Sequence, residues 1–322
     1  MIRAARLFVF CWCLSGWNAR GTVITALAFS PDGSALVSSG RLQVDIRSAE
    51  NGKVTASLPC DFPRVTALAF TPAGQLVVAG GIPGVSGAVT IFDWQHRQTL
   101  GRWKVHEDLV TCVAASPDGQ WLAWGSADHG ATLGALGQDL SKAPKLIKLV
   151  GHSAAVLAVA FTPDSQSVIS ASADRSIKLW TLQGGLVRTL AQHTESVNVL
   201  ALRPRTGDSP TECASGSEDH TVRVWQPEIG RMVRIVRGHE GPIYALAYSP
   251  DGAALYSAGS EGVLRQIDVE SDQILSQRNG HQDVIYSLAI SPNGQKLASG
   301  DWSGKIKLWR LEKNGPVELT AP

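Results

Sequence analysis

Short apolar runs, some alternating and some continuous, recur along the chain, and each ends in a similar polar corner. They read ALAFSPDG at 26–33, ALAFTPAG at 67–74, VAASPDG at 113–119, AVAFTPDS at 158–165, LALRP at 200–204, ALAYSPDG at 245–252 and LAISPNG at 288–294. Proline pre-sets the first corner of a turn, Asp or Asn tolerates the second, and Gly accepts positive φ. Each run is therefore predicted to be a strand ending in a tight turn. A second strand follows, as in LYSAGS (255–260) and KLASGD (296–301). A polar turn leads to a third, as in IKLW (177–180), VRVW (222–225) and IKLW (306–309). A fourth follows a Gly-containing turn, as in LVRTL (186–190). Four short strands per unit, without helical periodicity, predict antiparallel sheet.

The turn prolines are Pro31, Pro72, Pro117, Pro163, Pro204, Pro250 and Pro292, spaced by 41, 45, 46, 41, 46 and 42 residues. A single four-stranded sheet of this size cannot bury both faces. Repeats near forty residues solve this by stacking radially about an axis. Seven such sheets make an all-β, seven-bladed β-propeller, so the 322 residues form one repeat domain rather than two medium ones. The units run approximately over 22–60, 61–105, 106–151, 152–192, 193–238, 239–280 and 281–320. GPVELT (315–320) can supply the fourth strand of the last blade, the ring then closing by blade packing. Part of residues 7–17 is the alternative closing strand.

Composition changes this picture little. A net charge of +1 argues against nucleic acid as the main partner. Of the five cysteines, Cys11 and Cys13 fall in an N-terminal apolar stretch, and Cys60, Cys112 and Cys213 are scattered without a CxxC. That pattern fits neither a zinc site nor attached haem, and Cys112 and Cys213 read as buried small apolar residues. Residues 1–16 read as a signal peptide: Arg3 and Arg6 precede the apolar run Leu7 to Leu14. The run is short for a membrane span, and the alternative is a strand of the fold. A leader implies a periplasmic or secreted protein; without one, the cytoplasm is the expected place.

The units resemble WD40 repeats. The carriers are Gly-His at Gly151-His152, Gly238-His239 and Gly280-His281, the SPDG turn, and an Asp-x5-Trp ending. His106, His152, His193, His239 and His281 each lie nine residues before the last core residue of a first strand: Ala115, Phe161, Leu202, Tyr248 and Ile290. Trp180, Trp225 and Trp309 close third strands, although none is followed by Asp. Blades one, two, three and six lack this Trp.

The resemblance implies a buried hydrogen-bonded set of His, Ser, Asp and Trp in a blade. In blade four these are His152, Ser170 or Ser172, Asp174 and Trp180. In blade five they are His193, Ser215 or Ser217, Asp219 and Trp225. In blade seven His281, Ser299 and Trp309 remain, with Ser303 at the position expected for Asp. Ser, His and Asp together could also suggest a hydrolytic triad. Repetition argues otherwise, since a scaffold needs one brace per unit and an enzyme seldom needs several triads. No GxSxG elbow, HExxH, P-loop or strand-to-helix GxGxxG is present. No catalytic residue, cofactor or metal site is expected. His96, His129 and His220 read as solvated turn residues.

Members of the family serve as rigid interaction platforms, so the resemblance implies a non-enzymatic, monomeric scaffold for a protein partner. The docking face carries the loops before each first strand and the turns between second and third strands. Thr25, Thr66, Thr111, Leu157, Asn198, Tyr244 and Tyr286 would line it near the channel, with Ala173, Glu218, Ser260 and Trp302 on the turns. Pro242, Tyr244, Tyr286 and Trp302 gather on blades six and seven as the candidate partner-binding residues, joined by Arg64 and the loop 80–87. Aromatic rings with a polar tip are frequent binding anchors; packing of the loops is the competing role. RPRTGDSPTE (203–212) reads as an insertion on the opposite face. The rival classes are a hydrolase or lactonase with its site in the channel, and an accessory module for an electron-transfer protein.

Overall fold

The computed structural model describes residues 22–205 and 210–319. The expected leader (1–16), the alternative closing segment (7–17) and positions 206–209 of the long hairpin lie outside the described residues. The described chain forms seven four-stranded antiparallel sheets, each ordered first, second, third, fourth strand in sequence order. Blade four is representative, with strands Val156–Phe161, Ser167–Ser172, Ile177–Thr181 and Leu186–Leu190. First strands touch first strands around the ring, and that of blade seven, Ile285–Ile290, meets that of blade one, Leu27–Phe29. The result is the seven-bladed β-propeller that the turn spacing predicts.

The repeated corner forms by local chemistry. In blade one the Gly33 N–H donates to Ser30 O at 2.8 Å, and Gly33 takes φ +71°. Ser30 Oγ and the Ser34 N–H both donate to Asp32 Oδ1, at 2.5 and 3.0 Å. One carboxylate thus closes the turn that proline begins.

The core lies between the blades. Val77, Val89 and Ile91 of blade two pack with Val110, Leu122 and Trp124 of blade three. Leu27, Phe29 and Leu36 of blade one pack with Ala289, Ala298 and Leu308 of blade seven. Because both faces of a sheet meet a neighbour, second strands such as Ser167–Ser172 are buried almost throughout. Cys112 and Cys213 sit in these layers, and burial pushes both thiols up to about 12.

The last strand, Gly315–Leu319, pairs with Ile306–Glu312 as the fourth strand of blade seven. At the seam the Ile24 N–H donates to Asp301 O at 3.1 Å, Ser287 Oγ donates to Ile24 O at 3.1 Å, and Lys296 Nζ donates to Ala49 O at 3.0 Å. Packing and these bonds close the ring among the described residues. No helix among them is long and apolar enough to cross a membrane.

Candidate functional site

In blade four the Trp180 indole N–H donates to Ser170 Oγ at 2.8 Å, and Ser170 meets His152 Nε2 at 2.7 Å. His152 Nδ1 lies 2.8 Å from Asp174 Oδ2. With a neutral imidazole carrying its proton on Nδ1, every donor in this row points the same way: indole to hydroxyl, hydroxyl to imidazole, imidazole to carboxylate. Asp174 also accepts from the Ser153 and Ser176 N–H groups at 3.0 and 2.9 Å. Burial works to raise this carboxyl, but the bonds from His152, Ser176 and the backbone outweigh it and hold it well below the usual range. Ser172 stands outside the row. Its hydroxyl donates to Ala154 O and accepts from the Asp174 N–H, both at 3.0 Å, so it fixes the turn.

Blade five repeats the arrangement with Trp225, Ser215, His193 and Asp219, each contact 2.7 Å. Ser217 again fixes the turn, donating to Ser196 O at 2.8 Å. Blade seven keeps Trp309, Ser299 and His281, but its acid is Asp301, 2.6 Å from His281 Nδ1. This corrects the expectation at Ser303. Asp301 pairs with Ile285 as Ser172 pairs with Val156, so Ser-x-Asp in blade four has become Asp-x-Ser in blade seven. Ser303 Oγ then donates to Asp301 Oδ1 at 2.8 Å.

Two further histidines form partial braces. His106 meets Asp128 at 2.8 Å and Thr132 at 3.1 Å. Asp128 was legible, because Ser-Ala-Asp at 126–128 repeats 172–174 at the same distance from its histidine. The Trp of blade three has moved strands. Trp124 stands where Ser170 stands in blade four, and Gly134 stands where Trp180 stands. A Cβ on Gly134 would lie 2.7 Å from the Trp124 ring, so the indole fills its blade from the second strand and its Nε1 finds no partner. In blade six His239 Nε2 meets Ser257 at 2.8 Å, while Nδ1 has no partner and Glu261 pairs with Arg265 instead. Burial, then the Arg265 charge, pushes His239 down to about 4.

On the axis, a cavity of about 1260 Å³ opens at the face carrying the loops before the first strands. Thr25, Thr66, Thr111, Leu157, Asn198, Tyr244 and Tyr286 all line it, as do Ala173, Glu218, Pro242 and Trp302. Six of them are the extra residues of β-bulges near the start of the first strands, from Thr66 in blade two to Tyr286 in blade seven. A bulge re-aims one side chain, here toward the axis. Several of these side chains tie neighbouring blades. Thr25 Oγ1 donates to Val65 O at 2.8 Å, Thr66 Oγ1 to Val110 O at 2.5 Å, Thr111 Oγ1 to Val156 O, and Asn198 Nδ2 to Ile243 O at 3.1 Å. Leu157, with no donor, interrupts the series. The sequence assigns these positions to docking, with loop packing as the competing role of the aromatic ones, and does not reveal the bonds between blades.

The aromatic candidates form a continuous row. Tyr244 and Tyr286 have ring centroids 5.2 Å apart, and Tyr286 and Trp302 5.9 Å apart. All three are half-buried. Arg64 joins the cavity lining, whereas the loop 80–87 and Ser260 do not.

Comparison with known families decides the kinship. Residues 10–42, 97–132, 144–181, 184–226, 230–268 and 272–310 match the family described as WD domain, G-beta repeat. The chain belongs to the WD40 repeat family. Most of blade two falls outside the matched WD40 segments, although its four strands pair like the others. Among curated WD40-like relatives, apoptotic protease-activating factor 1 of Rattus norvegicus is 26% identical over 97% of this chain and 24% of that protein. Periodic tryptophan protein 2 of Arabidopsis thaliana is 28% identical over 57% of this chain and 20% of its own length. A guanine nucleotide-binding protein subunit beta of Oryza sativa subsp. japonica is 27% identical over 65% of this chain and 56% of its own. The chain thus spans about a fifth to just over half of the length of these relatives.

Proposed function

We propose that this WD40 propeller is a non-catalytic scaffold that holds a protein partner at the mouth of its channel. The observation that carries this reading is the Tyr244–Tyr286–Trp302 row at the rim of the axial cavity. Aromatic anchors of this kind supply much of the energy of protein interfaces. The Ser–His–Asp sets favour the non-catalytic side. Ser170, Ser215 and Ser299 are fully buried, and each hydroxyl is already engaged by an indole N–H and an imidazole. Such a hydroxyl has no line of approach to a substrate. Relatives named as a protease-activating factor and as the subunit beta of a larger protein are in keeping with a role within assemblies.

The test is affinity capture with Trp302→Ala and Tyr286→Ala combined. The variant should melt within a few degrees of the wild type and lose at least about tenfold in partner recovery, as expected when hot-spot rings are removed. A partner retained at wild-type level would overturn the placement.

A further inference from the structure

The channel mouth is chemically lopsided. The aromatic row and Pro242 stand on blades six and seven, and across the axis Arg64, His129 and Arg175 line the same cavity from blades two, three and four. His129 and Arg175 occupy the left-handed corner of their second-to-third-strand turns, both at φ 72°, where blades six and seven place Gly262 and Gly304. A long side chain is disfavoured relative to glycine at such a corner. Local backbone preference therefore does not account for an arginine there. Neither the Arg175 nor the Arg64 guanidinium is held in an ion pair among the described residues. The other formally charged lining residues, Glu195 and Glu218, already have contacts of their own. They lie on blade five, between the arc of Arg64 and Arg175 and the aromatic row.

The cavity, about 1260 Å³, exceeds the roughly 300–1,000 Å³ usual for small-molecule sites. Several residues of extended chain, each advancing about 3.3 Å, fit it better than a metabolite. We propose that the mouth binds an extended acidic peptide segment of a partner protein, with an aromatic or prolyl side chain on the Tyr–Tyr–Trp row and an Asp or Glu carboxylate across the axis at Arg64 and Arg175. This rests on the scaffold reading and adds the chemistry of what is held. The ring fixes the direction in which the segment crosses the channel, because stacking and charge pairing are available on opposite arcs.

Fluorescence anisotropy tests it, using the whole chain and short synthetic peptides. The probes carry Phe with Asp, Phe with Lys, Phe with Ser, or Asp without Phe. The Phe–Asp peptide should bind about tenfold or more tighter than the Phe–Lys peptide, a gap that narrows with added salt. Arg64→Glu with Arg175→Glu should invert that order. Trp302→Ala should weaken every Phe peptide and leave the charge preference in place. Thermal melts of each variant confirm that it is folded. Equal or tighter binding of Phe–Lys overturns the proposal, as does failure of the wild type to bind any probe. Self-association in sedimentation velocity that Trp302→Ala abolishes would assign the mouth to a second copy of the chain and also overturn it. A captured partner that is lost with Trp302→Ala and Tyr286→Ala but kept with the paired Arg→Glu change leaves the scaffold reading standing and removes the acidic peptide.

Discussion

At the scale of single residues, the braces make different demands of acid and hydroxyl. Asp301 accepts from His281, Ser303 and the Lys305 N–H, and is itself almost fully buried. Removing it leaves several donors unpaired, so Asp301→Ala should cost about 2–4 kcal/mol, and Asp174→Ala about 1–3 kcal/mol. Ser303→Ala removes one hydrogen bond and should cost no more than about 1 kcal/mol. Denaturant titrations of the three variants check the order; equal losses at Ser303 and Asp301 would deny Asp301 the acid's place in the brace. That inversion was not legible, because Asp-Trp-Ser and Ser-Ala-Asp differ only in which end of the same turn holds the carboxylate. The His106–Asp128 pair was legible from spacing. The relocated Trp124 was not, since seeing it requires the pairing of three strands.

His239 gives the residues a pH signature. Its imidazole stays neutral in the fold to about 4, whereas in an unfolded chain it takes a proton near 6.5. Between those values the unfolded state binds more protons, so stability is fully present above pH 6.5 and falls as the pH drops toward 4. The loss reaches on the order of 3 kcal/mol at most. Burial also lowers His193 and His281, against the pull of Asp219 and Asp301, which gives the same sign. Below about pH 4 the depressed carboxyls of Asp174, Asp219 and Asp301 add to the loss as they protonate. Unfolding free energies measured from pH 7 to 4 should slope downward, and His239→Gln should flatten the slope. A variant with an unchanged slope would exclude His239 as its source.

At the scale of strands, the bulged residues explain what the sequence could and could not reveal. Alternation and the SPDG phrase located every first strand, including that of blade two, which has neither the histidine nor the tryptophan. They could not show that a Thr at a bulge bonds across to the next blade. Thr66→Val keeps the shape and loses the bond to Val110 O, so it should cost about 0.5–1.5 kcal/mol. Leu157→Thr, at the joint between blades four and five where the bulge residue makes no such bond, should recover part of it. Melting temperatures of the two variants should move in opposite directions; a Thr66→Val protein as stable as the wild type would make that contact incidental.

At the scale of the molecule, the ring was predictable because one period recurs and no single blade can bury its own faces. What lies on the axis was predictable only in part. Position within the repeat named the lining residues, but whether Tyr244, Tyr286 and Trp302 touch depends on how adjacent blades face one another. Their contact also breaks a degeneracy. On a ring of seven identical blades, a ligand on the axis would have seven equivalent rotational registers and no reason to prefer one. Here the rings occupy two neighbouring blades and the guanidiniums the far arc, so a single register is distinguished. A partner held there is oriented as well as retained, and whatever else it carries points toward one fixed side of the propeller.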